Sequence, residues 1–434
     1  MLKTFVDIRA EDNNKKAFQQ LNLRPSISSL YGCFMGSSHP LPPEYRYIPP
    51  AEEQGDIPLS VRYTDPPAPL HDKAATGVQF TGEISEIHTN TDPLQLGKPR
   101  LQIVEDKPFK IALMADLHYG ENAWTDWGPQ QDVNSTCVQE CILEVERPDF
   151  VIYLGDQVTA NNILAANSSK YWVQLMDPVT KRAIPHASVL GNHDDAFMEY
   201  DNSWFGPSGI PGLPADDVGY YHSTTREELT NLEQTMDTSL TQAGPKALWP
   251  SMSNYVLPIR SQKSPGSVAV LLYFLDSGGG SYPELLSAAQ IAWFKTTANS
   301  MNPSDRIPEL IFFHIPTVTH EKIGPKPKRR IDLPCVGSIN LEAVAPQVQD
   351  GGMVEELTKR SSVKAVFSGH NHGLDWCCPH QSLWLCFARH TGYGGYGTWT
   401  RGSRILELVE EPNFGLRSWI RLETGEVAAE VNLV

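Results

Sequence analysis

The chain has 434 residues, and 35 Lys and Arg against 51 Asp and Glu give it a formal charge of −16. That balance excludes a protein that coats nucleic acid, because affinity for the phosphate backbone comes mainly from Lys and Arg. Hydrophobic residues at 40% and charged residues at 20% are the proportions of a globular chain rather than a disordered one. No run approaches the roughly 18 apolar residues of a membrane-spanning helix. Near the start, Asp7, Arg9, Glu11, Asp12, Lys15 and Lys16 interrupt the apolar residues, so no secretory h-region is expected there.

In chain order, residues 1–105 are punctuated by Pro25, Pro40, Pro42, Pro43, Pro49, Pro50, Pro58, Pro66, Pro67 and Pro69, which break helices repeatedly. They predict a β-rich or irregular N-terminal extension, with a candidate strand over 78–84. From residue 106 the texture becomes that of an α/β domain extending to 405, followed by a C-terminal β tail over 406–434 that packs on the same domain. The apolar run 110–115 ends at Asp116. An amphipathic helix is expected over 138–146, stopped by Pro148, and the run 150–155 then ends at Asp156. The run 187–191 ends at Asn192. Residues 200–250, rich in Gly, Pro, Ser and Asp and then polar, read as a long insertion forming a wall beside the site. Runs 310–313 and 363–369 end at His314 and His370, and residues 384–397 predict a strand followed by a turn-dense loop.

Each of five buried strands therefore finishes on a residue able to bind a metal, and open α/β sheets gather their chemistry at the carboxyl ends of strands. The set is Asp116-x-His118, Gly155-Asp156, Gly191-Asn192-His193-Asp194, His314 and Gly369-His370-Asn371-His372. Oxygen and nitrogen donors without thiolate suit Fe, Mn or Zn, with Mg as a further candidate, rather than copper(I) or an iron-sulfur cluster. One intervening residue lets Asp116 and His118, and likewise His370 and His372, leave an extended segment on the same side. Gly155, Gly191 and Gly369 permit a sharp turn out of the strand.

Other features carry less. The seven cysteines show no C-x-x-C spacing, which argues against a zinc ribbon or thioredoxin-type site. Cys377 or Cys378 is placed to pair with Cys386 across a short hairpin, as suits an exported protein; buried thiols are the alternative. His390, Tyr393 and Tyr396 are candidates to line a pocket. Lys326, Lys328, Arg329 and Arg330 form the one basic cluster, read as a solvated loop or a docking patch.

The ordered blocks D-x-H, G-D, G-N-H-[DE], H and G-H-x-H resemble the calcineurin-like metallophosphoesterase superfamily over residues 109–405. Within it the chain is similar to a purple-acid-phosphatase-related branch of fungi and plants. The supporting stretches are Ala115-Asp-Leu-His-Tyr, Asn254-Tyr-Val-Leu-Pro, Leu272-Tyr-Phe-Leu-Asp-Ser-Gly, Phe313-His-Ile-Pro and Arg389-His-Thr-Gly-Tyr-Gly-Gly-Tyr-Gly. It departs at Gly155-Asp-Gln-Val-Thr159, where purple acid phosphatases have G-D-x-x-Y. Thr159 cannot replace the iron-binding phenolate and His118 fills that position, so a site that is not purple is expected.

The resemblance implies a four-layer αββα sandwich and a dinuclear-metal-dependent phosphoric ester hydrolase. Metal 1 would take Asp116, His118 and His372; metal 2 would take Asn192, His314 and His370; Asp156 would bridge them. A hydroxide held by both metals would attack phosphorus in line. His193 would protonate the leaving group or stabilise its developing charge, and Asp194 would orient or charge-tune His193. Phosphomonoesters, on a small molecule or a phosphoprotein, are the first substrate class. The alternatives are nucleotide or phospholipid-type phosphodiesters, and a non-catalytic phosphate- or metal-dependent interaction module. A secreted or vacuolar location is favoured over the cytoplasm.

Overall fold

The computed structural model describes residues 97–434 except 105–106, 123–127, 164, 197–223, 262–265 and 411. The expected N-terminal extension up to residue 96, the strand at 78–84, and much of the 200–250 insertion lie outside the described residues.

Two six-stranded sheets form the centre. The first is built on β1 (Phe109–Met114), β2 (Phe150–Leu154) and β3 (His186–Val189), which run parallel. Three C-terminal strands, β10 (Gly402–Val409), β11 (Gly415–Leu422) and β12 (Val427–Asn432), extend it antiparallel in the order β12-β11-β10-β1-β2-β3. The second sheet has the order β4-β5-β6-β7-β9-β8. In it β5 (Val268–Phe274), β6 (Glu309–Phe312), β7 (Val363–Ser368) and β9 (Leu383–Phe387) are parallel, and β4 (Tyr255–Arg260) and β8 (Cys377–His380) are antiparallel edges.

Side-chain alternation along these strands sets the layers. Ile111, Leu113, Phe150, Ile152 and Leu154 of the first sheet share one buried cluster with Leu272, Phe274, Leu310, Phe312 and Phe367 of the second, so the sheets pack face to face. The intervening residues face outward: Ala112, Met114, Val151 and Tyr153 meet Ile142 of α1 (Gly128–Glu146) and Trp172 and Leu175 of α2 (Ala165–Lys181). Across the molecule Leu271, Tyr273 and Ile311 meet Phe294 of α4 (Ala288–Met301) and Val354 of α6 (Met353–Thr358). The result is the four-layer αββα arrangement. α1 starts ten residues before the periodic stretch read from sequence and ends at Glu146, ahead of Pro148. The remaining α-helices among the described residues are α3 (Arg226–Gln234), within the insertion, and α5 (Val318–Ile323).

Arg404 ties the two sheets together. Rising from β10, it is fully buried and donates to the carbonyls of Phe387 (2.8 Å) and Asp375 and to Ser418 Oγ (2.8 Å). Replacing it with methionine strands these acceptors in the core, so Arg404→Met is expected to cost about 3 kcal/mol or more. A lowered urea midpoint at unchanged slope is the measurement.

The hairpin disulfide forms as Cys377–Cys386, the first of the two sequence alternatives. A second bridge, Cys335–Cys378, joins the β8 edge to the segment after the basic cluster. Among the described residues no helix is long and apolar enough to cross a membrane.

Candidate metal centre

The strands β1, β2, β3, β6 and β7 all deliver their C-terminal ends to one place, from both sheets. Backbone bonds fix the crossing: Asp116 N–H donates to Gly155 O (3.1 Å), His118 N–H to Asp156 O (3.0 Å), and Gly369 N–H to His314 O (3.1 Å). Between the sheets, His314 Nδ1 meets Leu154 O at 2.8 Å and His370 N–H donates to Asp116 Oδ1 at 2.9 Å. Asp116, His118, Asp156 and His370 all sit in the left-handed region, with φ of 57°, 51°, 54° and 70°. Non-glycine residues hold that conformation only where surrounding structure enforces it, and such strain concentrates at functional sites.

Two triads result. One ligand atom from each of Asp116, His118 and His372 lies within 4.8 Å of the others, and the same holds for Asp156, His314 and His370. Asn192 joins the second triad, its Oδ1 3.1 Å from His314 Nε2 and 2.9 Å from His370 Nδ1. Asp156 Oδ2 stands between the triads, 3.0 Å from His314 Nε2 and 3.8 Å from His118 Nε2.

The outer hydrogen bonds decide which way the ring lone pairs point. His372 Nδ1 faces the Tyr396 carbonyl at 3.0 Å and His314 Nδ1 faces that of Leu154; a carbonyl only accepts, so both rings carry the proton on Nδ1. Their Nε2 lone pairs are therefore turned inward. His118 Nδ1 meets the Thr159 hydroxyl at 2.9 Å, which leaves His118 Nε2 facing His372 Nε2 across 3.1 Å. Asp116 Oδ2 is buried with no hydrogen-bond partner. Inward lone pairs, an orphaned carboxylate oxygen and a donor set without sulfur all fit cations held at these two triads.

The electrostatics agree. Burial lowers the pKa of His118, His370 and His372, the last two to about 3, so these rings are neutral as ligation requires. Burial and the Asp156 charge push the Asp116 carboxyl up to about 8. For His314 burial works against the charged ring, but Asp156 and Asp116 outweigh it and raise the pKa to about 9, so this ring would have to release its Nε2 proton as a cation binds. Such crowding of carboxylates in a dry site favours a cation.

The glycine before Asp156 is required by close approach. At Gly155, φ +92°, a Cβ would lie 2.2 Å from His314 Nδ1. Gly155→Ala is expected to push His314 off the Leu154 carbonyl and weaken metal binding by about ten- to a hundredfold, measured by competition with a chromophoric chelator.

One sequence expectation gives way. Asp194 does not orient the His193 ring: its Oδ1 accepts from the backbone N–H of Gln157 (2.7 Å) and Val158 (3.0 Å), and its Oδ2 from Gly191 (2.7 Å) and Asp156 (3.2 Å). Neighbouring side chains on this turn project in different directions, so Asp194 is buried beneath the loop while His193 stays half-exposed. The His193 ring instead meets Asn161, with Nδ1 2.9 Å from Asn161 Oδ1.

The aromatic loop divides similarly. Tyr396 is half-exposed and stacks on His372 at 4.0 Å, whereas buried His390 packs against the same ring at 3.9 Å without opening to a pocket. Tyr393 turns away and donates to Glu423. Lys326, Lys328, Arg329 and Arg330 are exposed on a turn pinned by Asn340 Nδ2, which donates to the carbonyls of Lys326 (2.8 Å) and Arg329 (3.0 Å). Sequence reasoning missed the outer partners Thr159, Asn161 and the carbonyls of Leu154 and Tyr396. Only the Thr-Ala-Asn-Asn run after Gly155-Asp156 offered a signal for the first two.

Residues 109–374 match a family profile described as calcineurin-like phosphoesterase. The chain is 26% identical over 362 residues to "Probable inactive purple acid phosphatase 28" of Arabidopsis thaliana, covering 74% of this chain and 81% of that protein. It is 28% identical to "Phosphatase DCR2" of Saccharomyces cerevisiae, covering 76% of this chain and 57% of that one. A solved dimetal phosphatase from Danio rerio is similar at 14% identity and a TM-score of 0.46, over 76% of this chain and 99% of the other.

Proposed function

The chain belongs to the calcineurin-like phosphoesterase family, and on that premise we propose that it is a metal-dependent hydrolase of phosphoric esters, with phosphomonoesters as the first substrate class. The observation that carries this reading is the pair of triads meeting at Asp156, with imidazole lone pairs turned inward. Three Arabidopsis relatives have "probable inactive" in their names; in this chain every position of both triads holds a donor.

Asp116, His118 and His372 would hold one ion, Asn192, His314 and His370 the other, with Asp156 shared. Fe, Mn or Zn fits these donors best, and Mg is a further candidate. Bound there, two ions supply the positive charge that draws in a phosphoryl group and the acidity that makes water nucleophilic near neutral pH. The chain's own residues do the rest. Asn192, a neutral amide, contributes an oxygen without adding negative charge against an anionic substrate. His193 stands at the half-exposed edge, its ring 5.0 Å from that of His118, where it would give a proton to the leaving oxygen. Thr159 holds His118 in place of a tyrosinate ligand, so no phenolate charge-transfer colour is expected.

A phosphodiester is the second reading, favoured by Glu121 and Glu342, which accept from the Gly395 N–H and from the Tyr396 hydroxyl (2.8 Å) and Gly373 N–H (2.7 Å) beside His372. Negative charge at that edge opposes a dianionic monoester more than a monoanionic diester. Para-nitrophenyl phosphate and bis-para-nitrophenyl phosphate, compared across added Mn, Fe, Zn and Mg, test both. Chelator-sensitive turnover preferring the monoester is the expected result. Preference for the diester moves the substrate class, and turnover of neither in any metal overturns the hydrolase reading. The two disulfides support passage through an oxidising compartment, hence a secreted or vacuolar protein.

A further inference from the structure

We propose that the exposed turn 326–333 is a docking edge that seats the protein on an anionic lipid surface. Lys326, Lys328, Arg329 and Arg330 are all exposed, and among the described residues only Arg330 has an ion-pair partner, the equally exposed Asp332 at 3.5 Å. The chain as a whole carries a charge of −16, which repels an anionic surface at long range. Salt screens that repulsion over about 8–10 Å, so on contact the local cluster decides. Leu333 lies three residues beyond Arg330 and, at 85%, is the most exposed of the large hydrophobic side chains among the described residues. A bare leucine beside four cations fits a bilayer, where headgroup charge takes the cations and the acyl boundary takes the leucine. An acidic peptide would satisfy only the cations.

The turn is held rigid from behind. Buried Asn340 clamps it: Nδ2 donates to the carbonyls of Lys326 (2.8 Å) and Arg329 (3.0 Å), and the Asn340 carbonyl accepts from the Lys328 N–H (2.9 Å). Just past Leu333, Cys335 is bonded to Cys378, and Val336 exchanges both backbone hydrogen bonds with Cys377 at 2.8 Å each. A backbone already fixed loses less freedom on docking. The same segment runs on to the metal centre. The Leu341 N–H donates to the carbonyl of Gly373, the residue after His372, at 2.9 Å. Asn371, between His370 and His372, donates to the Ala343 carbonyl and accepts from the Ala345 N–H, both at 3.2 Å. Docking through the turn therefore keeps both triads close to the lipid surface.

The test is co-sedimentation of the full chain with vesicles of phosphatidylcholine alone and of phosphatidylcholine with about 30% phosphatidylserine. Wild type is expected to bind the anionic vesicles at least about tenfold more tightly, with affinity falling as salt is raised. Changing Lys326→Gln, Lys328→Gln, Arg329→Gln and Arg330→Gln together is expected to weaken that binding by about a hundredfold or more, since each cation near the surface is worth about fivefold. Leu333→Asn is expected to weaken it by about tenfold with the salt dependence kept. These side chains are exposed, so the urea midpoint and the turnover of para-nitrophenyl phosphate should match wild type in both variants. Equal binding to the two vesicles, no binding to either, or a fourfold variant that binds as wild type overturns the proposal. A Leu333→Asn variant that binds as wild type leaves charge attraction alone, which poly-glutamate would satisfy as well, and overturns the choice of a membrane. Binding needs no turnover, so each of these outcomes leaves the hydrolase reading intact, and a protein that hydrolyses neither ester leaves the docking edge to be judged on binding alone.

Discussion

Asp156→Ala is expected to lower turnover of para-nitrophenyl phosphate by about 10³-fold or more and to leave no more than one metal ion per chain after dialysis. Asp156, the carboxylate of the second triad, reaches toward the first, in contact with His314 at 3.0 Å and within 3.8 Å of His118. Its other oxygen accepts from the His193 N–H at 2.8 Å, so the loop carrying Asn192 also loses an anchor. Metal charge contributes several kcal/mol to phosphoryl transfer, and each 1.36 kcal/mol is tenfold in rate, which sets the scale of the loss. The fold itself should survive, because removing Asp156 also removes like-charge repulsion with Asp116 in a buried site. Elemental analysis alongside kinetics checks the prediction; two ions retained with full turnover would refute the sharing of Asp156.

His193→Asn separates chemistry from metal binding. Only the backbone of His193 touches a triad residue through a hydrogen bond, so both ions should remain bound, while turnover falls by about 10²- to 10⁴-fold, the usual weight of a positioned general acid. Loss of the ions together with activity would instead make His193 part of the metal framework. Retention of both would remove it from the chemistry and leave the family likeness without its proton donor.

How much of this was legible in the sequence follows from the range of each interaction. Strands β1, β2, β6 and β7 were readable because their apolar runs are short, buried on both faces and closed by polar residues, so each ends within a residue of the expected position. The second disulfide was not: Cys335 and Cys378 lie 43 residues apart, joined only because the segment before β8 returns to pair with it. Thr159 was read as a lost ligand position and is also the partner of His118 Nδ1, a role visible only once β1 and β2 stand side by side.

By itself the sequence determined the donor types, their order, and their placement at strand ends, because these depend on local hydrophobic patterning and on glycines beside each donor. Only the tertiary structure decided which donors share a triad, which ring nitrogen faces inward, and which residue holds His193. Those choices are made by hydrogen bonds between segments far apart in the chain: Leu154 to His314 across 160 residues, Tyr396 to His372 across 24, and Asn161 to His193 across 32. Adjacency along the chain favoured Asp194 for that last role, but four backbone amides without other partners on the turn drew its carboxylate the other way.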